Sequence, residues 1–200
     1  MATENAQLAA RLREIAAAKS SLGKLAYIQG GDVWVKALPD GELKRLTTDG
    51  RNSEPRWSPS GGWLAFRKGP VQVWLMRADG SEARALNSGA AVKAFAWSPV
   101  EDRIAYVSGD RLLVINAMET EPTQLVAQEP IVPPTPPPEE LEKVGRIAWS
   151  PDGAWIAYQW VRQRPDQPLS YQGLWKVPSD GGEPVELYNS GVPEKGEAIL

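Results

Sequence analysis

The tripeptide Trp-Ser-Pro occurs three times, at Trp57-Ser58-Pro59, Trp97-Ser98-Pro99 and Trp149-Ser150-Pro151. The first two copies stand 40 residues apart and the next two 52 apart. No other feature constrains the fold as much. A unit of this length cannot bury an apolar face alone, so successive units must stack. A short apolar run follows each copy: Leu64-Ala65-Phe66, Ile104-Ala105-Tyr106 and Ile156-Ala157-Tyr158. An earlier run of the same kind, Leu25-Ala26-Tyr27, has no Trp-Ser-Pro before it. A second run comes next in each unit, at Val33-Trp34-Val35, Val73-Trp74-Leu75, Leu112 to Ile115 and Leu174 to Val177. A last stretch ends near Leu46, Leu86, Leu125 and Leu187. Such runs, rich in β-branched and aromatic residues and bounded by Gly, Pro and Asp, read as strands.

The turn residues agree with that reading. Ser-Pro-x-Gly suits a turn between the first and second strands of a unit. Asp40-Gly41, Asp79-Gly80 and Asp180-Gly181-Gly182 suit the turn between the third and fourth, because both residue types tolerate positive φ. Each unit is therefore four antiparallel strands, A to D, which is the blade of a β-propeller. The fold class is all-β, with about four blades and no obvious strand A in the first. The third unit carries Val100-Glu101-Asp102 and Met118-Glu119-Thr120-Glu121 where the others carry glycine, so its turns should differ.

Two insertions break the repeat, and both fall on the fourth unit. The first spans Ala127 to Val144 and holds Pro130, Pro133, Pro134, Pro136, Pro137 and Pro138. That density imposes polyproline II and forbids strand pairing. One helical turn is expected over Glu139 to Lys143. The second insertion spans Arg162 to Gln172, between strands B and C. In a meander, B–C turns and D-to-A connectors leave the same end of the blade. Both insertions should therefore rise from one face of the disc. Residues 1–21 form a separate N-terminal piece, read as a marginal helix or tether over 4–19, with Leu8, Leu12 and Ile15 on one side. Residues 22–200 are the blades.

Composition narrows the function. The 200 residues contain no His and no Cys, which removes the commonest general base, thiolate nucleophiles and most metal ligands. No Gly-x-Ser-x-Gly, Walker A or EF-hand pattern is present. Catalytic, cofactor and metal residues are therefore expected to be absent. Lys and Arg total 22 against 25 Asp and Glu, a net charge of −3 that disfavours nucleic acid. No run is long and apolar enough for a membrane helix.

Trp-Ser-Pro-x-Gly, then Leu-Ala-Phe or Ile-Ala-Tyr, then Val-Trp, then Asp-Gly resembles the TolB-like repeat, a WD40-like or PD40 motif of β-propellers. The same repeat builds the propellers of prolyl-oligopeptidase-like peptidases. The resemblance covers Leu22 to Ser190. It implies a binding scaffold for a protein or peptide, with a ligand near the channel mouth or on the face carrying the insertions. It also favours a periplasmic or cell-surface location. Its second implication is a propeller that gates a serine peptidase, with the catalytic domain outside this chain. Trp57, Trp97 and Trp149 recur at one point of the repeat and are expected to pack blade against blade. Trp160, Arg162, Arg164 and Tyr171 border the second insertion and are the candidate partner contacts. Propellers of this type have more than four blades, so the open edges need cover. Further blades of a longer polypeptide, a second chain, or closure as four blades through Gly196 to Leu200 would each provide it.

Overall fold

The structure, a computed structural model, describes residues 7, 10–12, 23–86, 90–109, 111–125, 141–163 and 171–189. Four antiparallel sheets follow one another along the chain. The first has three strands, β1 (Lys24–Gln29), β2 (Asp32–Ala37) and β3 (Leu43–Arg45). The second has β4 (Asn52–Trp57), β5 (Trp63–Lys68), β6 (Gln72–Arg77) and β7 (Arg84–Ala85). The third has β8 (Val92–Trp97), β9 (Arg103–Ser108), β10 (Arg111–Asn116) and β11 (Thr123–Gln124). The fourth has β12 (Leu141–Trp149), β13 (Trp155–Gln163), β14 (Tyr171–Pro178) and β15 (Val185–Asn189). Strand order within each sheet is sequence order, the meander of a propeller blade. The first sheet lacks strand A and begins with strand B.

Alternation along the strands gives the second and third sheets two apolar faces each, and three buried clusters join the sheets in pairs. Val33 and Val35 of the first sheet pack with Leu64, Phe66 and Met76 of the second. Ala65, Val73 and Leu75 on the second sheet's other face pack with Phe95, Ile104, Tyr106 and Ile115 of the third. Ala105, Val107, Leu112 and Val114 then pack with Ile156, Tyr158 and Val177 of the fourth. Burial pushes the Tyr106 and Tyr158 hydroxyls up to about 12, so both stay neutral in this core.

Polar ties cross the same junctions. The indole of Trp97 donates to the Arg56 carbonyl at 2.9 Å, and that of Trp149 to the Ala96 carbonyl at 3.0 Å. Lys44 on β3 reaches the Asp79 carbonyl, and Arg84, at the matching place on β7, reaches the carbonyls of Ala117 and Glu119. Each tie gives a main-chain carbonyl at a junction a donor from the adjacent sheet.

The Trp-Ser-Pro serine acts inside its own blade. The hydroxyls of Ser58 and Ser150 accept the amides of Trp63 and Trp155, the first residues of strand B. Gly61 and Gly153 complete these turns at φ 69° and 71°. Trp63 and Trp155 thus share one position in the repeat. Arg77 lies 4.1 Å over the first ring and Lys176 4.0 Å over the second.

Two expectations are corrected. The helical turn over Glu139 to Lys143 is replaced from Leu141 onward by strand β12. Pro138 is the last proline before this stretch, so the amides that follow it can pair. The second insertion is also shorter than 162–172, because β13 continues to Gln163 and β14 starts at Tyr171. The Pro-rich stretch of 126–140 lies outside the described residues. Of the N-terminal helix, Gln7, Ala10, Arg11 and Leu12 are described and helical.

Candidate functional site

Strands A to C of the fourth sheet are longer than their counterparts. β12 and β13 have 9 residues each and β14 has 8, against 6 in the corresponding strands of the second and third sheets. The extra length lies at the end holding the B–C turns and D-to-A connectors. Leu141 pairs with Gln163, and Arg162 with Tyr171, so the residues bounding 126–140 and 164–170 meet at one end of the sheet. The common end expected for the two insertions is present in their flanking strands. At about 3.3 Å per residue, β12 and β13 extend roughly 10 Å and β14 roughly 7 Å further than the corresponding strands of the second and third sheets.

This projection brings together three of the four candidate contact residues. Trp160 stands opposite Val144 on one side and Gly173 on the other. Arg162 stands opposite Glu142 and Tyr171. Trp160 and Arg162 are two positions apart on one strand. Arg164 lies outside the described residues.

The same end of the first junction holds a polar network that sequence reading missed. Asp32, at the start of β2, is 2% exposed. Its carboxylate accepts the Gly50 amide at 2.9 Å, the Thr47 hydroxyl at 3.1 Å and the Arg45 guanidinium. The Gly50 amide, with Arg45 and Thr47 behind it, holds Asp32 below the usual carboxylate range against the opposing effect of burial. Asp49 meets the Lys68 ammonium at 2.7 Å and accepts the Asn52 amide, and the Lys68 bond lowers its pKa most. Asn52 also donates to the Gly31 carbonyl at 3.1 Å and to Thr47 at 2.9 Å. Both carboxylates are ionised and each holds a cationic side chain. They fasten the first B–C turn to the connector into β4 and are unsuited to give or take protons near neutral pH. One signal was available in the sequence: Asn52 stands where the next unit has Val92, a polar residue at a core position.

Strand A of each later sheet carries a register break, at Ser53/Arg56, Val92/Ala94 and Val144/Ile147. At the first break Glu54 takes a left-handed φ of 50°. Its carboxylate lies 3.3 Å from Arg67 and 3.6 Å from Arg56. Arg67 donates to the carbonyls of Val92 and Lys93, and Arg56 to that of Phe95. Both guanidiniums face the Phe95 ring. The bulge thus aims one carboxylate at the two arginines that grip the next strand A. Among the described residues no three His, Cys, Asp or Glu side chains come together as a metal site.

Comparisons with known proteins give matches of three kinds. An uncharacterized protein of Agrobacterium fabrum, Atu1656, is 36% identical over 84 residues, which is 40% of this chain and 29% of that protein. The chain thus spans less than a third of that relative. A solved structure, a TolB candidate from Agrobacterium tumefaciens, is matched with a TM-score of 0.47 and 14% identity, over 84% of this chain and 77% of that one. A family model described as the dipeptidyl peptidase IV N-terminal region matches residues 67–173. That match takes in the second sheet from the end of β5, all of the third, and the fourth through the start of β14. It covers more than half of the 200 residues, and the chain belongs to the family of the dipeptidyl peptidase IV N-terminal region.

Proposed function

We propose that the chain is a non-catalytic propeller module that binds a protein or peptide segment where the fourth sheet projects. The observation that carries this reading is the register of β12, β13 and β14, which groups Trp160 and Arg162 of β13 with Tyr171 of β14 at the extended end of the sheet. Trp, Tyr and Arg are the residue types that dominate binding energy in protein interfaces. The projecting strands rest on a blade already packed against its neighbour, so little order has to be gained on binding. The probe is an array of short synthetic peptides of varied sequence, followed by titration of those retained. Trp160→Ala and Arg162→Ala are each expected to weaken binding about tenfold or more, near 1.4 kcal/mol, with an unchanged Tm. An array that retains nothing, or variants that bind like the parent chain, would refute the reading.

A second reading is favoured by the family match itself. The propeller would then gate the active site of a serine peptidase whose catalytic domain lies outside these residues. The coding sequence that follows Leu200 tests it. A Gly-x-Ser-x-Gly segment within an α/β pattern supports gating, and its absence from the whole gene rejects it.

A further inference from the structure

The indole N–H of Trp57 is buried and has no hydrogen-bond partner among the described residues. Its two counterparts each have one. Trp97 donates to the carbonyl of Arg56, and Trp149 to that of Ala96. Both acceptors hold one place in the fold, on strand A of the preceding sheet, opposite an alanine of strand B. Arg56 pairs with Ala65, and Ala96 with Ala105. In the first sheet that alanine is Ala26, which pairs with Val35 as Ala65 pairs with Leu75 and Ala105 with Val114. Among the described residues no strand pairs with β1 on its other side. The acceptor that Trp57 lacks is therefore a main-chain carbonyl opposite Ala26, on an extended chain lying along β1.

The same register says what that chain carries next. Trp57, Trp97 and Trp149 stand opposite Leu64, Ile104 and Ile156 across the ladder between strands A and B. Each pair shares one buried cluster, and Leu64, Ile104 and Ile156 are fully buried. Leu25 holds this position in β1 and is 49% exposed. Lys36 argues against a further sheet as its cover. The strand C partners of Leu64, Ile104 and Ile156 are Met76, Ile115 and Val177, all buried in a junction. The partner of Leu25 is Lys36, and a stacked sheet would press its ammonium into an apolar contact. A single strand along β1 leaves Lys36, on β2, in water.

We propose that β1 is a docking edge for an extended peptide of a partner protein, which joins the first sheet as its strand A. The peptide runs antiparallel to β1. The carbonyl of its residue opposite Ala26 accepts the Trp57 N–H, and the residue that follows is aromatic and covers Leu25. Main-chain hydrogen bonds to the free edge supply affinity, and the aromatic residue supplies selection. This site is on the first sheet, and it does not draw on the projecting end of the fourth.

The probe is the end-blocked synthetic hexapeptide Val-Lys-Ala-Phe-Ala-Trp, the sequence of β8. Added to the full chain, it should move the indole proton resonance of Trp57, assigned through Trp57→Phe, and slow its exchange with solvent. Trp57→Phe should bind the peptide about fivefold more weakly, the loss of one hydrogen bond. Its Tm should stay near that of the parent chain, because in the free protein the substitution breaks no bond. A peptide with Asp in place of the tryptophan should not bind. A hexapeptide that fails to bind at millimolar concentration overturns the proposal, as does binding that leaves the Trp57 resonance in place or is unchanged in Trp57→Phe. So does a Trp57 indole proton that exchanges as slowly in the free chain as those of Trp97 and Trp149, since another part of the chain would then fill the edge.

Discussion

Trp97 shows how one side chain can link two blades. It is half-buried, packs against the cluster between the second and third sheets, and donates to the Arg56 carbonyl. Truncation to Ala should cost roughly 2–4 kcal/mol, below the cost of a fully enclosed tryptophan. Trp97→Phe keeps most of the contact area and loses the hydrogen bond, so it should cost about 1 kcal/mol more than its packing change. Denaturant melts of the two variants separate these contributions; a Trp97→Phe variant as stable as the parent chain would show that the hydrogen bond carries none of the stability. Asp32 gives the pH counterpart. Its folded pKa lies below the ordinary value of 3.8, so its ionised form stabilises the fold above that value. The contribution is lost as pH falls through the depressed folded pKa. Tm should therefore drop on acidification below about pH 4, and Asp32→Asn should show a shallower drop from a lower starting Tm. Parallel curves for the two proteins would remove Asp32 from the acid response.

At the scale of elements, the A–B turns separate backbone strain from crowding. Gly61 and Gly153 have nearly the same left-handed φ. A Cβ on Gly61 would meet nothing, while one on Gly153 would lie 2.5 Å from Val100 Cγ2. Gly61→Ala should cost about 1–2 kcal/mol from the backbone alone. Gly153→Ala should exceed it by at least ~1 kcal/mol, because Val100 has to move. Thermal melts of both variants check the order, and equal losses would mean that Val100 shifts without cost. Val100 explains the contact: the third unit has valine where its neighbours have Ser60 and Asp152, and the next blade's glycine makes room for it. The strands were legible from the sequence because Trp-Ser-Pro, the Leu-Ala-Phe type and Val-Trp fix the period and the side that is buried. The fourth sheet's extension was hidden. Leu141 to Lys143 sit directly after a proline run, and Glu139 and Glu140 favour a helix start as readily as a strand. The Asp32 network was hidden for another reason. Its members come from positions 32, 45, 47, 49, 50, 52 and 68, and only the folded junction gathers them.

Across the whole molecule, each buried cluster joins only neighbouring sheets, and among the described residues none spans three. Such a chain behaves as a line of coupled units rather than as one core. The second and third sheets have neighbours on both sides, and the first and fourth have one each. Amides of β5 and β9 should exchange most slowly with solvent, and those of β1 and β15 fastest. Residue-resolved exchange checks the gradient, and uniform protection would reveal a single cooperative unit. The repeated junction has an evolutionary consequence as well. A unit can be duplicated or lost between two Trp-Ser-Pro turns with little redesign of its neighbours, because one pattern of small against large side chains recurs at the three junctions. Recombination at these turns would change the curvature and capacity of the assembly while leaving each remaining interface intact.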